Sequence, residues 1–543
     1  MSAVDSDTDV LVVGAGPTGL VLALWLARLG VRVLVIDKTA EPGTTSRALA
    51  VHARILEHYR QLGLADKVVE RGLPFAAVNL WVASRKVGRA PFGIMGTGVS
   101  PFPYALIFAQ DEHERLLIEE LQELGVHVER HTELVAFEQS VDGVRATLRM
   151  PDSSERTCKA SYIAGCDGAH SKVREILGSD FPGGTYAHVF YVADVEASGP
   201  VMDHELHVAL DRSDFLAVFP LKTSGRARLI GTVRPGSEHR GDVSWNDVSK
   251  TIVERMRISV DRVNWFSTYH VHHRVARCFR DARAFLLGDA AHIHSPVGGQ
   301  GMNTGIGDAT NLAWKLAAVL HGCADAALLD SYEPERTAFA HRLVATTDRV
   351  FTFATRDGAI ARFVRLSVVP RVVPAVLAQE SARRFMFRTL SQTAISYRHC
   401  DFNAGTAGKV HGGDRLPWIE HADDRGDNFA PLAVLDWQVH IYGEPIDDIA
   451  TLCAERELPL HRFGWRPEME RKGLAPNALY LLRPDGYVAL ADAHARVATL
   501  RSFLDERRLQ PLARRTLPAE TLAAAHSTRE PGAVDAATPL SVS

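Results

Sequence analysis

Val10–Val13 is an unbroken apolar run and reads as a buried strand, Leu20–Leu29 as a helix, and Val31–Ile36 as a second strand ending at Asp37. Ala105–Gln110 predicts another strand, with a helix from Asp111 to Leu124. Val126–Glu129, Leu134–Gln139 and Val144–Met150 alternate as strands of a small sheet, with Asp142-Gly143 as a hairpin turn. From about Phe181 to His273 the pattern turns strand-rich: Tyr186–Val195, Glu205–Leu210, Phe215–Pro220, Ala227–Val233 and Asn264–Val271, with one helix at Val248–Met256. Phe285–Leu287 is a short apolar strand before a glycine-rich loop. The chain is then helical from Leu312 to about Arg349, and helical segments continue to about Tyr397, broken at Pro370 and Pro374. Gly405–Pro417 reads as a loop and domain boundary. Beyond it Trp437–Tyr442, Ala478–Arg483 and Tyr487–Leu490 read as strands, Pro484-Asp485-Gly486 as a turn and Ala493–Glu506 as a helix. After Leu512 the chain is rich in Ala, Thr, Ser and Pro, the composition of a disordered tail.

Composition narrows the class. With 543 residues, 46% of them hydrophobic, the chain can build two to four domains. Charged residues make up 23% and the formal net charge is -4, which argues against nucleic acid or anionic membrane as a general partner. Six cysteines, at 158, 166, 278, 323, 400 and 453, show neither CxxC nor metal-ligand spacing, which fits a reduced, cytoplasmic protein. The apolar stretch from Val10 to Ala27 is preceded by Asp5, Asp7 and Asp9 and interrupted by glycines, unlike a signal peptide or anchor. Phe363 to Leu377 carries Arg365, Arg371 and two prolines and reads as an amphipathic or broken helix, with surface membrane contact the lesser reading.

The candidate chemistry lies in three glycine-rich turns. Gly14-Ala15-Gly16-Pro17-Thr18-Gly19 is a G-x-G-x-x-G turn framed by two strands, a helix and acidic Asp37, the context a dinucleotide fingerprint requires. Its first glycine makes the tight turn, its second lets a pyrophosphate approach backbone, and its third lets helix pack on strand; Asp37 can accept from ribose hydroxyls. In the second, Gly288 to Gly307 surround a helix start whose unpaired N–H groups stabilise negative charge, and Asp289 can hold a ribityl or ribose hydroxyl. The third is Tyr162 to Ser171, again a strand running into a Gly-Asp-Gly turn.

GAGPTG at Gly14–Gly19, CDGAHSKVR at Cys166–Arg174 and GDAAHIHSPVGGQGMN at Gly288–Asn303 together resemble the FAD-dependent aromatic hydroxylases, single-component flavoprotein monooxygenases typified by para-hydroxybenzoate hydroxylase. The likeness covers about the first three-quarters of the chain well and the remainder more loosely. It implies an α/β fold. A Rossmann-type FAD-binding domain, residues 1–180 and 274–345, carries an inserted β-rich substrate domain at 181–273. A helical segment follows at 346–404, then a thioredoxin-like domain without CxxC at 405–512 and a disordered tail at 513–543. With Cys453 alone in that last domain, packing or homodimer formation suits it better than disulfide exchange.

The same resemblance implies FAD, with NADPH or NADH and O2 as co-substrates, and hydroxylation of a phenolic or polyketide-like ring through a flavin C4a-hydroperoxide. It places Gly14, Gly16, Gly19, Asp37 and Lys38 on the ADP half, and Asp289 on the ribityl chain. Arg47 and Gln110 also reach the cofactor, and backbone donors at Gly301, Met302 and Asn303 face the flavin edge. Pro296 lies beside flavin and substrate. Asp167 and Gly168 are shared between the FAD side and the nicotinamide route, where Arg47 and Arg174 could attract phosphates. Tyr191, His207, Tyr269 and His294 are candidates for a base that ionises the substrate; Phe215, Phe219 and Tyr191 line either pocket or core. No metal is expected, since His292, His294, His270, His272 and His273 lack a carboxylate or cysteine cluster at ligand spacing. Epoxidation, Baeyer–Villiger insertion, antibiotic inactivation or a non-catalytic flavin carrier are the competing readings. The halogenase signature W-x-W-x-I-P is absent, as are G-x-S-x-G and a Walker P-loop.

Overall fold

The computed structural model describes residues 6–43, 48–75, 77–91, 95–211, 215–233, 243–248, 250–295, 297–355, 363–423, 426–444 and 448–512. Arg47, Pro296 and the tail 513–543 lie outside the described residues. The N-terminal apolar run becomes strand Ser6–Val13, the middle of a sheet ordered Val128–Glu129, Val33–Ile36, Ser6–Val13, Glu155–Gly165, Ala284–Leu286 and Arg280–Asp281. All but the last pair in parallel, and residues 10–12 have no exposure, as expected of a strand covered on both faces. Strands Glu133–Gln139 and Val144–Arg149 add an antiparallel meander to Glu155–Gly165. Helices Pro17–Arg28 and Gly301–Leu320 pack on each other against this sheet.

The second sheet has eight strands, ordered His292–Ile293, Ser259–Val275, Gly183–Ser198, Arg226–Thr232, Phe215–Pro220, Leu206–Leu210, Ala77–Val82 and Arg85–Pro91. Two corrections follow. Ala77–Val82 and Arg85–Pro91, within the stretch assigned from sequence to the cofactor domain, hydrogen-bond into this second sheet through Leu206–Leu210. The sheet is closed on its other edge by His292–Ile293, which leads into the glycine-rich loop. Strand parity sorts its faces. Tyr191, Ala193, Val195, Leu216, Val218 and Leu229 pack with Ile252, Val253 and Met256 around helix Lys250–Arg255. Phe190, Val192, Ala217, Ile230, Phe215, Phe219, Trp265 and Tyr269 pack on the opposite face.

The long helix begins at Gly301 rather than Leu312, because Gly305 and Gly307 serve as contact points inside it rather than as loop residues. Pro374 does not break its helix, Val369–Ala378; the break falls at Gln379, which is extended (φ -85°, ψ 126°). The segment read as a loop from Gly405 holds short strands, Ala404–Ala407 and Val410–His411. These join Val488–Asp492, Ala478–Leu482, Gln438–Tyr442 and Leu460–Phe463 in a six-stranded C-terminal sheet. Its final helix starts at Val497, later than the composition suggests.

Two buried charge networks tie this C-terminal unit to the first sheet's helices. Arg483 donates to Glu335 (2.6 and 3.0 Å) and to Asp485, while Lys315 and Asn311 also donate to Glu335, all five side chains being buried. Burial alone would raise the Glu335 carboxyl, but Arg483 and Lys315 hold it well below the usual range. Arg415 and Arg54 likewise converge on buried Glu57.

Candidate active site

The three glycine turns meet at the C-terminal ends of the first sheet's parallel strands, where open α/β sheets bind ligands. Gly14 is left-handed (φ 104°), and a side chain there would run into the Cys166 carbonyl and lie 2.9 Å from the Asp167 Cα. A Cβ on Gly19 would collide with the Gly14 carbonyl, so the third fingerprint glycine is what lets helix Pro17–Arg28 close onto its strand. Thr18 then fills the gap to the other motif. A Cβ on Gly288 would lie 2.7 Å from Thr18 Oγ1, and one on Gly305 would sit on the same atom. Gly16, by contrast, faces open space, and neither helix start, at Gly16 or at Gln300, carries a side-chain cap. The result is a cradle with two uncapped helix N-termini, the arrangement that receives the anionic parts of a dinucleotide.

Hydrogen bonding around the cradle separates supporting side chains from available ones. Asp37 accepts from Ala15 N–H (2.7 Å) and from Thr39 N–H and Oγ1 (2.8 and 2.6 Å), so it braces the fingerprint turn itself. Lys38 beside it is exposed. Gln110, the first residue of helix Gln110–Glu123, donates to Glu114 (2.8 Å), whose other oxygen accepts from Gly43 N–H. Asp167 Oδ2 accepts from Lys172 N–H (2.6 Å) and Val173 N–H (3.1 Å), capping the helix that follows. Its Oδ1 is buried and has no partner among the described residues, and burial raises the carboxyl. Gly168 leaves open space next to it. Arg174 spends its donors on the Ala290 and Ala169 carbonyls (2.8 and 2.7 Å), locking the second and third turns together. Asp289 is exposed on the Gly288–Ala290 turn.

Sequence reasoning missed the anchor beneath this turn. Asp308, fully buried on helix Gly301–Leu320, accepts from Gly288 N–H (2.9 Å), His292 Nε2 (2.7 Å) and Arg336 Nε (2.5 Å). Burial alone would raise its carboxyl; Arg336 and His292 hold it below the usual range. A carboxylate in a helix of largely apolar and small residues is the signal that could have revealed it. Asn303 is also anchored: it accepts from His52 N–H and donates to the Ala50 and Gly299 carbonyls, each at 2.8 Å. Its side chain therefore fixes the loop, leaving the backbone N–H groups of Gly301, Met302 and Asn303 in the first helical turn, where no intrahelical acceptor exists.

Of the four base candidates, two are committed elsewhere. Tyr191 stacks on Phe266 and meets Trp245 on the helix-covered face of the second sheet. His207 is buried between Trp81 Nε1 (3.0 Å) and Asp203 (2.7 Å). Tyr269 lies on the opposite face with Phe190, Phe215 and Phe219. His294, half-buried with its Nε2 covered, lies in the segment joining the second sheet to the glycine loop. Buried polar atoms without partners among the described residues gather there: His294 Nε2, Ser295 Oγ and His52 Nδ1. Such atoms cost about 1–3 kcal/mol each unless a ligand or water meets them. Among the described residues there is no group of three or more potential metal-ligating side chains, and no helix is long and apolar enough to cross a membrane.

Residues 7–347 match the family model described as FAD binding domain. The chain is 32% identical over 93% of its length to 6-methylpretetramide 4-monooxygenase of Streptomyces rimosus, covering 94% of that protein. It is 30% identical to pentachlorophenol 4-monooxygenase of Sphingobium chlorophenolicum, over 77% of each chain. Among solved structures it is similar to the anhydrotetracycline hydroxylase OxyS of Streptomyces rimosus, with TM-score 0.75 and 28% identity, covering 93% of this chain and 100% of that one. The orphaned Asp167 oxygen, the open cradle at Gly16 and the uncapped helix starts fit a flavin dinucleotide. The chain belongs to the FAD-dependent aromatic monooxygenases, carrying their FAD-binding domain over most of its first two-thirds.

Proposed function

We propose that this protein hydroxylates a phenolic or polyketide-like ring with NAD(P)H and O2. The observation that carries this is the pairing of the cradle with an aromatic sheet face. The second sheet's edge strand, His292–Ile293, runs through His294 and Ser295 into the loop that starts helix Gly301–Leu320. On the face away from helix Lys250–Arg255 that sheet presents Phe190, Phe215, Phe219, Trp265 and Tyr269, a surface suited to a planar apolar ring. The curated relatives named above act on a polyketide and on a chlorinated phenol, which supports the same substrate class here.

In this reading Gly14, Gly16, Gly19, Asp37, Lys38 and Arg47 hold the ADP half of FAD. Gln110, Asp167, Gly168 and Asp289 hold its centre, and the N–H groups of Gly301, Met302 and Asn303 meet the ring edge, with Pro296 beside it. Bound FAD would supply the redox chemistry, accepting a hydride from NAD(P)H and activating O2. The chain's own residues orient the ring and exclude water. Asp37 acts on the ribose through the turn it braces as well as directly. We assign the C-terminal unit, from Gln438–Tyr442 to Val497–Glu506, a thioredoxin-like fold and a packing role. Its Cys453 is buried and its thiol pushed up to about 11, the opposite of a redox cysteine. A cytoplasmic location is part of the same reading, on the cysteine spacing of the sequence.

The test is a panel of phenols and polycyclic aromatics added to the purified yellow protein, with NADPH and then NADH. Substrate-stimulated oxidation of the nicotinamide and a product heavier by one oxygen are expected. A folded protein that binds no flavin sinks the reading. Asp289→Ala should lose flavin absorbance while keeping its far-ultraviolet dichroism.

A further inference from the structure

We propose that His294 is the proton acceptor for a ring hydroxyl of the substrate; this rests on the hydroxylase reading above. His294 stands where the two halves of the site join. It directly follows the edge strand His292–Ile293, which pairs antiparallel with Arg274–Val275 of the aromatic-faced sheet. A Cβ built on Gly301, the first residue of the cofactor-side helix, would lie 3.8 Å from its Nε2. The ring's tautomer follows from its partner. Nδ1 is 2.8 Å from the Ser295 carbonyl, which can only accept, so Nδ1 carries the hydrogen and Nε2 carries the lone pair. That Nε2 is buried and meets no donor among the described residues. A substrate hydroxyl is the kind of group that satisfies it.

The groups around His294 keep it neutral. His292, two residues back, is bonded to Asp308, which is paired with Arg336; His52, beside the same loop, has its Nε2 2.8 Å from the Gly298 carbonyl. Burial, with His292 adding to it, pushes the His294 imidazole down to about 4. Such a weak base could not ionise a resting phenol to any useful extent. It can take the proton during oxygen transfer, when the hydroxyl becomes strongly acidic. As the ring's π electrons form the new C–O bond to the terminal oxygen of the activated dioxygen, the O–O bond breaks and its electron pair leaves on the oxygen that is not transferred. The O–H pair of the substrate moves into a C=O bond, and the proton passes to Nε2. The ring carbon then gives up its hydrogen as a proton to water, the C–H pair returns to the ring, and the C=O oxygen takes a proton back to become a hydroxyl again, which restores the aromatic system. The oxidant is O2, activated with electrons from NAD(P)H, as in any enzyme of this family.

The experiment uses flavin-loaded wild type, His294→Gln and His294→Asn, with a phenol that stimulates NADPH oxidation in wild type. Both variants should keep flavin and phenol-stimulated flavin reduction. The share of NADPH oxidation that ends in hydroxylated product should fall by about 10²-fold, the scale of a lost general base. Wild type should show a pH dependence of that share which the variants lack. A variant that holds flavin and makes product with wild-type yield and pH profile overturns the proposal while leaving the hydroxylase reading intact. Wild type that no phenol stimulates overturns both.

Discussion

Gly305→Ala tests whether the two cofactor turns are held together by steric fit. The residue lies inside helix Gly301–Leu320 with ordinary helical geometry, so alanine should favour the helix by about 1 kcal/mol. The added Cβ, however, lands on Thr18 Oγ1, with Gly288 Cα at 3.1 Å and Thr18 Cβ at 3.5 Å. One rotation of Thr18 brings its methyl group to the same place, and the other moves both branches of a β-branched side chain whose χ1 is restricted on a helix, so stepping aside is costly. Overpacking of this kind costs about 1–3 kcal/mol, and a clash that rotation relieves only at a cost belongs near the top of that range. The net expectation is about 2 kcal/mol of lost stability, together with loss of bound flavin as Gly288 is pushed away. Thr18→Ala removes the offending atom, so the double variant should recover most of the loss, with a coupling of about 1–2 kcal/mol. Urea denaturation followed by tryptophan fluorescence reads this directly, since buried Trp25 and Trp314 sit on the two helices concerned. A Gly305→Ala protein as stable as wild type, or a cycle with strictly additive terms, refutes the reasoning.

Glu335→Gln leaves Lys315 and Arg483 buried without their shared charge, and should cost about 3–5 kcal/mol by denaturant titration; an unchanged midpoint would rule that out. Acid should unfold the protein early. His52 and His294 are held at about 4 and His113 at about 3 by burial, against an ordinary 6.5, so their contribution is intact above pH 6.5 and is lost as pH falls toward 4. Each adds a slope of about 1.4 kcal/mol per pH unit across that window. Equal urea midpoints at pH 7 and pH 5 would contradict this. Iodoacetamide labelling read by mass spectrometry should modify Cys278 first, since it is exposed while the other five cysteines are buried; early labelling of Cys453 would argue against its packing role.

What the sequence revealed was mostly what glycine sterics and apolar runs encode locally. The fingerprint turn, its strands and its helix were legible because each rests on neighbours within thirty or so residues. The C-terminal strands Ala478–Leu482 and Val488–Asp492 were legible for the same reason, joined by the Pro484-Asp485-Gly486 turn. Ala77–Val82 was not, since it pairs in parallel with Leu206–Leu210, a partner far along the chain and invisible to any local pattern. Period two placed Tyr191 and Phe215 on a sheet without saying which face meets the cofactor; that depends on where helix Lys250–Arg255 lands. The site showed the same division. Positions where only glycine fits announced themselves, whereas the partners of Asp37, Gln110 and Asn303 depend on which backbone groups tertiary packing brings near. Asp308 and Lys315 could have been found. They stand seven residues apart in a helix of largely apolar and small residues, so they share a face, and burial of both requires opposite charges waiting on another element. Arg336 and Glu335, adjacent on the next helix, meet that requirement, one supporting the cofactor turn and the other the C-terminal unit. A disturbance of the C-terminal unit therefore has a short path to Gly288: the Arg483–Glu335 ion pair, one peptide bond to Arg336, its pair with Asp308, and the hydrogen bond Asp308 accepts from Gly288 N–H.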